Sequence, residues 1–243
     1  LDAVYNLAAK QSYFSGGQVS CPMVLMSSVG GGYSDGGQHS QCLFATFGHL
    51  PGLKVVIPSN AYDAKGLMTA AIRDPNPTVF LFHKSLQGMG WLGTEKDSVA
   101  AVPEAQYEVP LGEACVTREG DAVTLVGLGA TVHRCLEAAT KLESEGIAAE
   151  VVDLRSIAPL DRATIRTSVA KTKQLVVVDE DYHSYGVAGE VIASVAEAGI
   201  PMLSAPRRVT FPDIPIPFSP ALERDLLPCA EAIVDAVKSQ RGQ

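Results

Sequence analysis

An α/β protein with two open, mostly parallel sheets and flanking helices is what this 243-residue sequence predicts. Short apolar runs bounded by glycine, proline or asparagine alternate with amphipathic stretches of helix length. Strands covered on both faces by crossover helices read in this way. The rhythm breaks once, over residues 85–110, and then restarts. The chain therefore divides into a first unit at residues 1–84, a linker at 85–110 and a second unit at 111–243.

In the first unit, residues 2–13 place Val4, Leu7 and Ala8 at helical spacing, and Ser15-Gly16-Gly17 stops that helix. Residues 22–26 (PMVLM) read as a short buried strand, followed by a glycine-rich loop at 30–37. Residues 39–50 read as a helix ended by Pro51-Gly52, and 54–57 (KVVI) as a strand closed by Pro58. Asn60 is placed to cap a helix over 61–73 that carries Leu67, Ala70 and Ala71 on one face. Asp74-Pro75-Asn76-Pro77 must turn, and 78–83 (TVFLFH) is strand-like.

The linker mixes Gly88, Gly90, Gly93, Pro103 and Pro110 with charges and shows no period, as a segment crossing the surface between two units would. Beyond it, strands are expected at 122–128, 149–154 and 175–178. Helices are expected at 132–145, 162–170, 187–198 and 229–238, with Gly146 and Gly199 as stops. Right-handed crossovers would join these into a second sheet.

Composition narrows the function classes. A formal charge of −8 at pH 7 gives no electrostatic reason to bind nucleic acid or an anionic membrane. No apolar run approaches the roughly 20 residues that a spanning helix needs. The five cysteines lie in no CxxC spacing and read as reduced, half-buried thiols of a cytoplasmic or organelle-matrix protein.

Few motifs carry chemistry. The loop at 30–37 invites an anion, but no Gly-Lys-Ser/Thr follows and it lacks dinucleotide spacing; Gly127-Leu128-Gly129 is half a fingerprint. No Gly-x-Ser-x-Gly elbow is present. His49, His83, His133 and His183 share no metal-ligand spacing and read as structural. His39 differs: it stands where the glycine loop meets an expected helix N-terminus, which favours a neutral imidazole. Asp179-Glu180-Asp181 ends a strand and reads as a metal or acid–base cluster or, preferably, as a solvated strand end.

Seven stretches occur in an order that resembles a known family: residues 13–18 (YFSGGQ), 37–42 (GQHSQC), 51–58 (PGLKVVIP), 63–67 (DAKGL), 71–77 (AIRDPNP), 153–161 (DLRSIAPLD) and 213–223 (DIPIPFSPALE). The resemblance is to β subunits of the E1 component of pyruvate, branched-chain 2-oxo acid and acetoin dehydrogenase complexes. It implies the remainder of a transketolase-like pyrimidine-binding domain followed by a transketolase C-terminal domain. It also implies an α2β2 assembly with an E1 α subunit. Thiamin diphosphate lies between the subunits, its diphosphate and Mg2+ gripped by the α chain. The acyl group passes to a lipoyl group on E2, the dihydrolipoyl acyltransferase.

By the same resemblance, His39 lines the active-site channel and gives a proton as the lipoyl disulfide opens. The turn holding Ala71, Asp74 and Asn76 resembles a loop that binds a potassium-like cation through hard oxygen ligands; a plain tight turn is the competing reading. No cofactor-binding residue is assigned in this chain. The family's catalytic glutamate and ring-packing aromatics are expected upstream of Leu1. Where the family usually ends a strand Ile-Arg-Gly-Pro, Met26-Ser27-Ser28-Val29 stands here. Two functional expectations follow: part of an E1 enzyme, or a non-catalytic module for assembly and E2 docking through residues 110–243. A sheet without its early strands is also expected to self-associate.

Overall fold

The structure is a computed structural model that describes residues 1–87, 95 and 98–242. The chain opens on single turns at Ala3–Leu7 and Ala8–Lys10 and on α1 (Gln11–Phe14). There follow β1 (Val24–Val29), α2 (Gly36–His39), α3 (Phe44–Gly48), β2 (Lys54–Val56), α4 (Ala61–Arg73) and β3 (Thr78–His83). The remainder comprises β4 (Cys115–Arg118), β5 (Val123–Gly127), α5 (Thr131–Glu143), β6 (Ala149–Asp153), β7 (Ser156–Ala158), α6 (Arg162–Thr172) and β8 (Leu175–Tyr182). It closes with α7 (Val187–Glu197), β9 (Arg207–Phe211), α8 (Pro220–Leu226) and α9 (Ala230–Arg241). No helix among the described residues is long and apolar enough to cross a membrane.

These strands form two mostly parallel sheets, of order β1-β3-β2-β7 and β4-β6-β5-β8-β9. In the first, Val24 and Lys54 flank Thr78 on the central strand β3, and all three strands run parallel. The fourth strand, β7, comes from the other half of the chain and pairs antiparallel with β2. In the second sheet only β4 runs antiparallel. The halves also share a core. Val55, Ile57, Val79 and Leu81 from the first sheet pack in one cluster with Val126, Leu128, Val152 and Leu154 from the second. Each such side chain contributes about 1.5–3 kcal/mol relative to exposure. On the outer face of the second sheet, α5 buries Val132, Cys135, Ala138, Ala139 and Leu142 at helical spacing, beside Ile233, Val234 and Val237 of α9.

Several expectations need correction. Leu7 faces solvent, and the buried residue of the opening turns is Ala9. β1 is an edge strand rather than a buried one, with Met26, Ser27 and Ser28 exposed. The helix expected over 39–50 is broken, because contacts with β8 pull its middle out of helical geometry. The Gln41 side chain donates to the Tyr182 hydroxyl at 3.3 Å, Cys42 lies buried 3.8 Å from Glu180, and the Ala45 amide donates to Asp181 at 3.3 Å. β8 runs on through Asp179-Glu180-Asp181, and β4, β7, β9 and α8 had no clear signature.

Other elements form as their residues dictate. α4 spans the expected residues, and the Asn60 side chain accepts the Asp63 amide as its cap. Within the linker, Gly88, Gly90 and Gly93 lie outside the described residues. Its later part lies against α4: Val109 is buried, the Tyr107 ring stacks on Tyr62 at 4.5 Å, and Lys65 binds the carbonyls of Pro103, Glu104 and Ala105. The five cysteines are free thiols.

Candidate active site

His39 is the last residue of α2, not the first of a helix, so the argument from a helix N-terminus does not hold. Its side chain is exposed on the wall of a cavity of about 530 Å³. Ser27, Ser28, Gln38, Gln41 and Lys84 share that wall. Lys84 ties the site together: its ammonium pairs with Asp35, donates to the His39 carbonyl at 2.8 Å and lies 5.4 Å from the centre of the Tyr33 ring. A larger hollow of about 950 Å³ lies elsewhere, between the opening turns and residues 50–54. Its titratable lining is Lys10, Tyr13 and Lys54, with no carboxylate or histidine, and it holds no acid–base pair.

Behind the glycine loop lies a buried ion-pair network that the sequence had not revealed. Glu180 is 3 % exposed, which overturns the solvated strand end; Asp179 and Asp181 are buried with it. Its Oε1 accepts from the Gly31 amide at 2.7 Å and meets His83 Nε2 at 3.1 Å, while Oε2 accepts from Arg134 at 2.8 Å. His83 Nδ1 accepts the Ser85 amide at 3.2 Å, which leaves Nε2 to donate to Glu180. Burial alone would raise the Glu180 carboxyl, but His83, the Arg134 guanidinium and the Gly31 amide hold it well below the usual carboxylate range. Gly30 is required here: its φ is +107°, and a Cβ would lie 2.1 Å from His83 Nε2.

The neighbouring acids behave differently. Burial, reinforced by the charge of Asp181, pushes Asp179 up to about 7, and burial pushes Asp181 up to about 6. Cys42 is raised well above the ordinary thiol by burial and then by Glu180, so it is no nucleophile. Cys42, His83 and Glu180 bring ligand atoms within 4.8 Å of one another. Arg134 already supplies the positive charge at Glu180, so the group reads as an ion-pair network and not a metal centre.

The loop at 30–37 does bind anions, but they are the protein's own. Gly31 donates to Glu180, while Gly32 and Ser34 donate to Glu223 at 2.9 and 2.8 Å. Those amides are thereby committed, and Lys84 is held by Asp35. The Gly31, Gly32 and Ser34 amides are therefore not open to an external anion.

The remaining candidates lie apart. Ala71 is buried in α4. The Asp74 carboxylate pairs with Lys54 and accepts the Asn76 amide at 2.9 Å, closing an Asx turn. Burial opposes ionisation of Asp74, but Lys54 and Asn76 outweigh it and lower the carboxyl. His133 meets the Ser59 carbonyl at 2.6 Å, His183 contacts Thr210 and Arg208, and His49 is exposed. None of them joins His39. Only tertiary contacts identify Glu180 and Glu223, although Glu223 closes the 213–223 stretch that carried part of the resemblance.

Comparison with known proteins gives a consistent picture. Residues 2–89 match the family described as transketolase, pyrimidine binding domain, and residues 112–233 match transketolase, C-terminal domain. The chain is 43 % identical to pyruvate dehydrogenase E1 component subunit beta-2, mitochondrial, of Oryza sativa subsp. japonica, over 98 % of this chain and 62 % of that protein. It is 44 % identical to acetoin:2,6-dichlorophenolindophenol oxidoreductase subunit beta of Cupriavidus necator, over 99 % of this chain and 69 % of that one. Among solved structures it resembles a split-gene transketolase described as an inactive β4 tetramer. The TM-score is 0.76 at 25 % identity, covering 98 % of this chain and 70 % of that one. The chain therefore spans less than two thirds of the rice protein's length.

Proposed function

Because the chain belongs to the transketolase-like family of E1 β subunits of pyruvate and acetoin dehydrogenases, we propose that it forms part of an E1 enzyme. That enzyme decarboxylates a 2-oxo acid, or cleaves acetoin, and acylates the lipoyl group of an E2 dihydrolipoyl acyltransferase. It works beside an E1 α subunit in the bacterial cytoplasm or the mitochondrial matrix. Thiamin diphosphate with Mg2+ is held mainly outside this chain, in keeping with the committed loop amides.

The observation that carries the proposal is the exposed imidazole of His39 on the 530 Å³ cavity, between Gln38 and Gln41. His39 gives its proton to the sulfur released as the lipoyl disulfide opens. Among the described residues, Lys84 engages its carbonyl and not its exposed side chain. General-acid help of this kind contributes on the order of 10²–10⁴-fold. His39→Ala in the assembled enzyme is therefore expected to lower lipoyl acylation by that order. Turnover with an artificial electron acceptor falls less. An equal loss in both assays would refute the role.

A second reading is that this chain provides only subunit contacts and a docking surface for E2, chiefly through residues 110–243. It requires normal binding of α or E2 chains with no turnover under any condition. The proposal also includes a potassium-like cation at Ala71, Asp74 and Asn76. With the Asp74 carboxylate already paired to Lys54, backbone oxygens are the main ligands. Exchange of potassium for sodium at constant ionic strength should then lower the melting temperature; no difference would leave a plain turn.

A further inference from the structure

Glu223 lies in α8 and is 1 % exposed. Both carboxylate oxygens face the glycine loop: Oε1 accepts the Gly32 amide at 2.9 Å and Oε2 the Ser34 amide at 2.8 Å. Hydrogen bonds to a charged acceptor are stronger than those between neutral groups. The loop needs such a hold. Ser34 has φ 58°, a left-handed backbone that is strained for a non-glycine residue and persists only where its surroundings over-determine it.

α2 begins just beyond Ser34 and ends at His39. It is seated on the segment that leads into Glu223. A Cβ on Gly36 would lie 3.1 Å from the Phe218 ring, and one on Gly37 would lie 3.5 Å from the Ile216 carbonyl. The near end of α2 thus hangs from Glu223, its body rests on Ile216 and Phe218, and its far end is tied by Lys84 to the His39 carbonyl.

We infer that Glu223 is a positioning residue for His39: by holding the Gly32 and Ser34 amides it sets where α2 presents the imidazole to the cavity. This rests on the proposed role of His39 as proton donor. Glu223→Gln keeps the side-chain volume but turns an NH2 group toward one of the two amides, replacing attraction by repulsion. Glu223→Asp keeps the charge and shortens the reach.

In the assembled enzyme, Glu223→Gln is expected to lower lipoyl acylation on the order of ten- to hundredfold, the scale of an ångström-sized misplacement. Artificial-acceptor turnover falls much less, and Glu223→Asp gives a smaller loss with the same split. In a His39→Ala background the Glu223 substitutions cost almost nothing more, as a double-mutant cycle would register. Equal loss in both assays, or the full extra loss without His39, overturns the inference. Should Glu223→Gln fail to assemble, Glu223→Asp is judged by the same criteria. Failure of the His39 role appears in His39→Ala alone. Crystal structures of wild-type and Glu223→Asp enzyme then decide the geometry separately: residues 31–39 displaced support the inference, and residues 31–39 unmoved overturn it.

Discussion

Asp179, Glu180 and Asp181 are consecutive, buried and opposite in behaviour, because only Glu180 meets cationic and N–H partners strong enough to outweigh burial. The consequence is a pH dependence whose sign can be worked out. Asp179 at about 7 and Asp181 and Asp153 at about 6 hold protons more tightly in the fold than in the unfolded chain, where aspartate titrates near ~3.9. Their contribution to stability is fully present below the unfolded value and is lost as pH rises through 6 and 7. Glu180, lowered in the fold, contributes above its unfolded value and loses that contribution only in acid. The unfolding free energy is therefore expected to fall between pH 5 and pH 8 by something on the order of a few kcal/mol. Asp179→Asn should flatten that fall, as urea titrations at both pH values would measure; a rise over the interval would contradict the burial argument.

At the level of elements, Gly66 in α4 sets two effects against each other. An alanine in mid-helix is favoured over glycine by about 1 kcal/mol. Here its Cβ would lie 2.5 Å from Val109 Cγ2 and 3.0 Å from the Val109 amide nitrogen. Overpacking of that kind costs about 1–3 kcal/mol, and the backbone nitrogen cannot rotate away. Gly66→Ala is thus expected to be destabilising by chemical denaturation. A stabilised variant would mean that residues 107–109 detach from α4 at little cost. The same contact explains why a linker without periodicity still follows a defined path: Tyr107, stacked on Tyr62, and Lys65, bound to three carbonyls, fasten it to the helix.

For the molecule as a whole, β7 and the shared core couple the two sheets, while the outer edge of β1 pairs with nothing among the described residues. Met26 is 56 % exposed on that edge, and Tyr13 and Phe14 stand exposed on the opening turns. Such edges and patches recruit other chains. The chain alone is expected to self-associate with rising concentration in sedimentation velocity, and Met26→Lys should weaken the association. A monodisperse monomer with one cooperative melt would refute this.

Local pattern alone determined a good deal of this protein. Residues 61–73 carry their own cap, periodicity and stop, and they fold as α4; the two groups of apolar runs became two sheets. The Gln-His-Ser-Gln stretch pointed to His39, and the ordered motifs to the family. Tertiary structure decided what lies between distant parts of the chain. Glu180 meets Gly31 across 149 positions, and Glu223 meets Gly32 across 191. Periodicity reports which face of an element is apolar, but it is silent on which carboxylate approaches which amide. A run of three acids reads as solvent-facing because charges are rarely buried without partners. The partners here, His83, Arg134 and the glycine-loop amides, are brought to it only when the two sheets close on a common core.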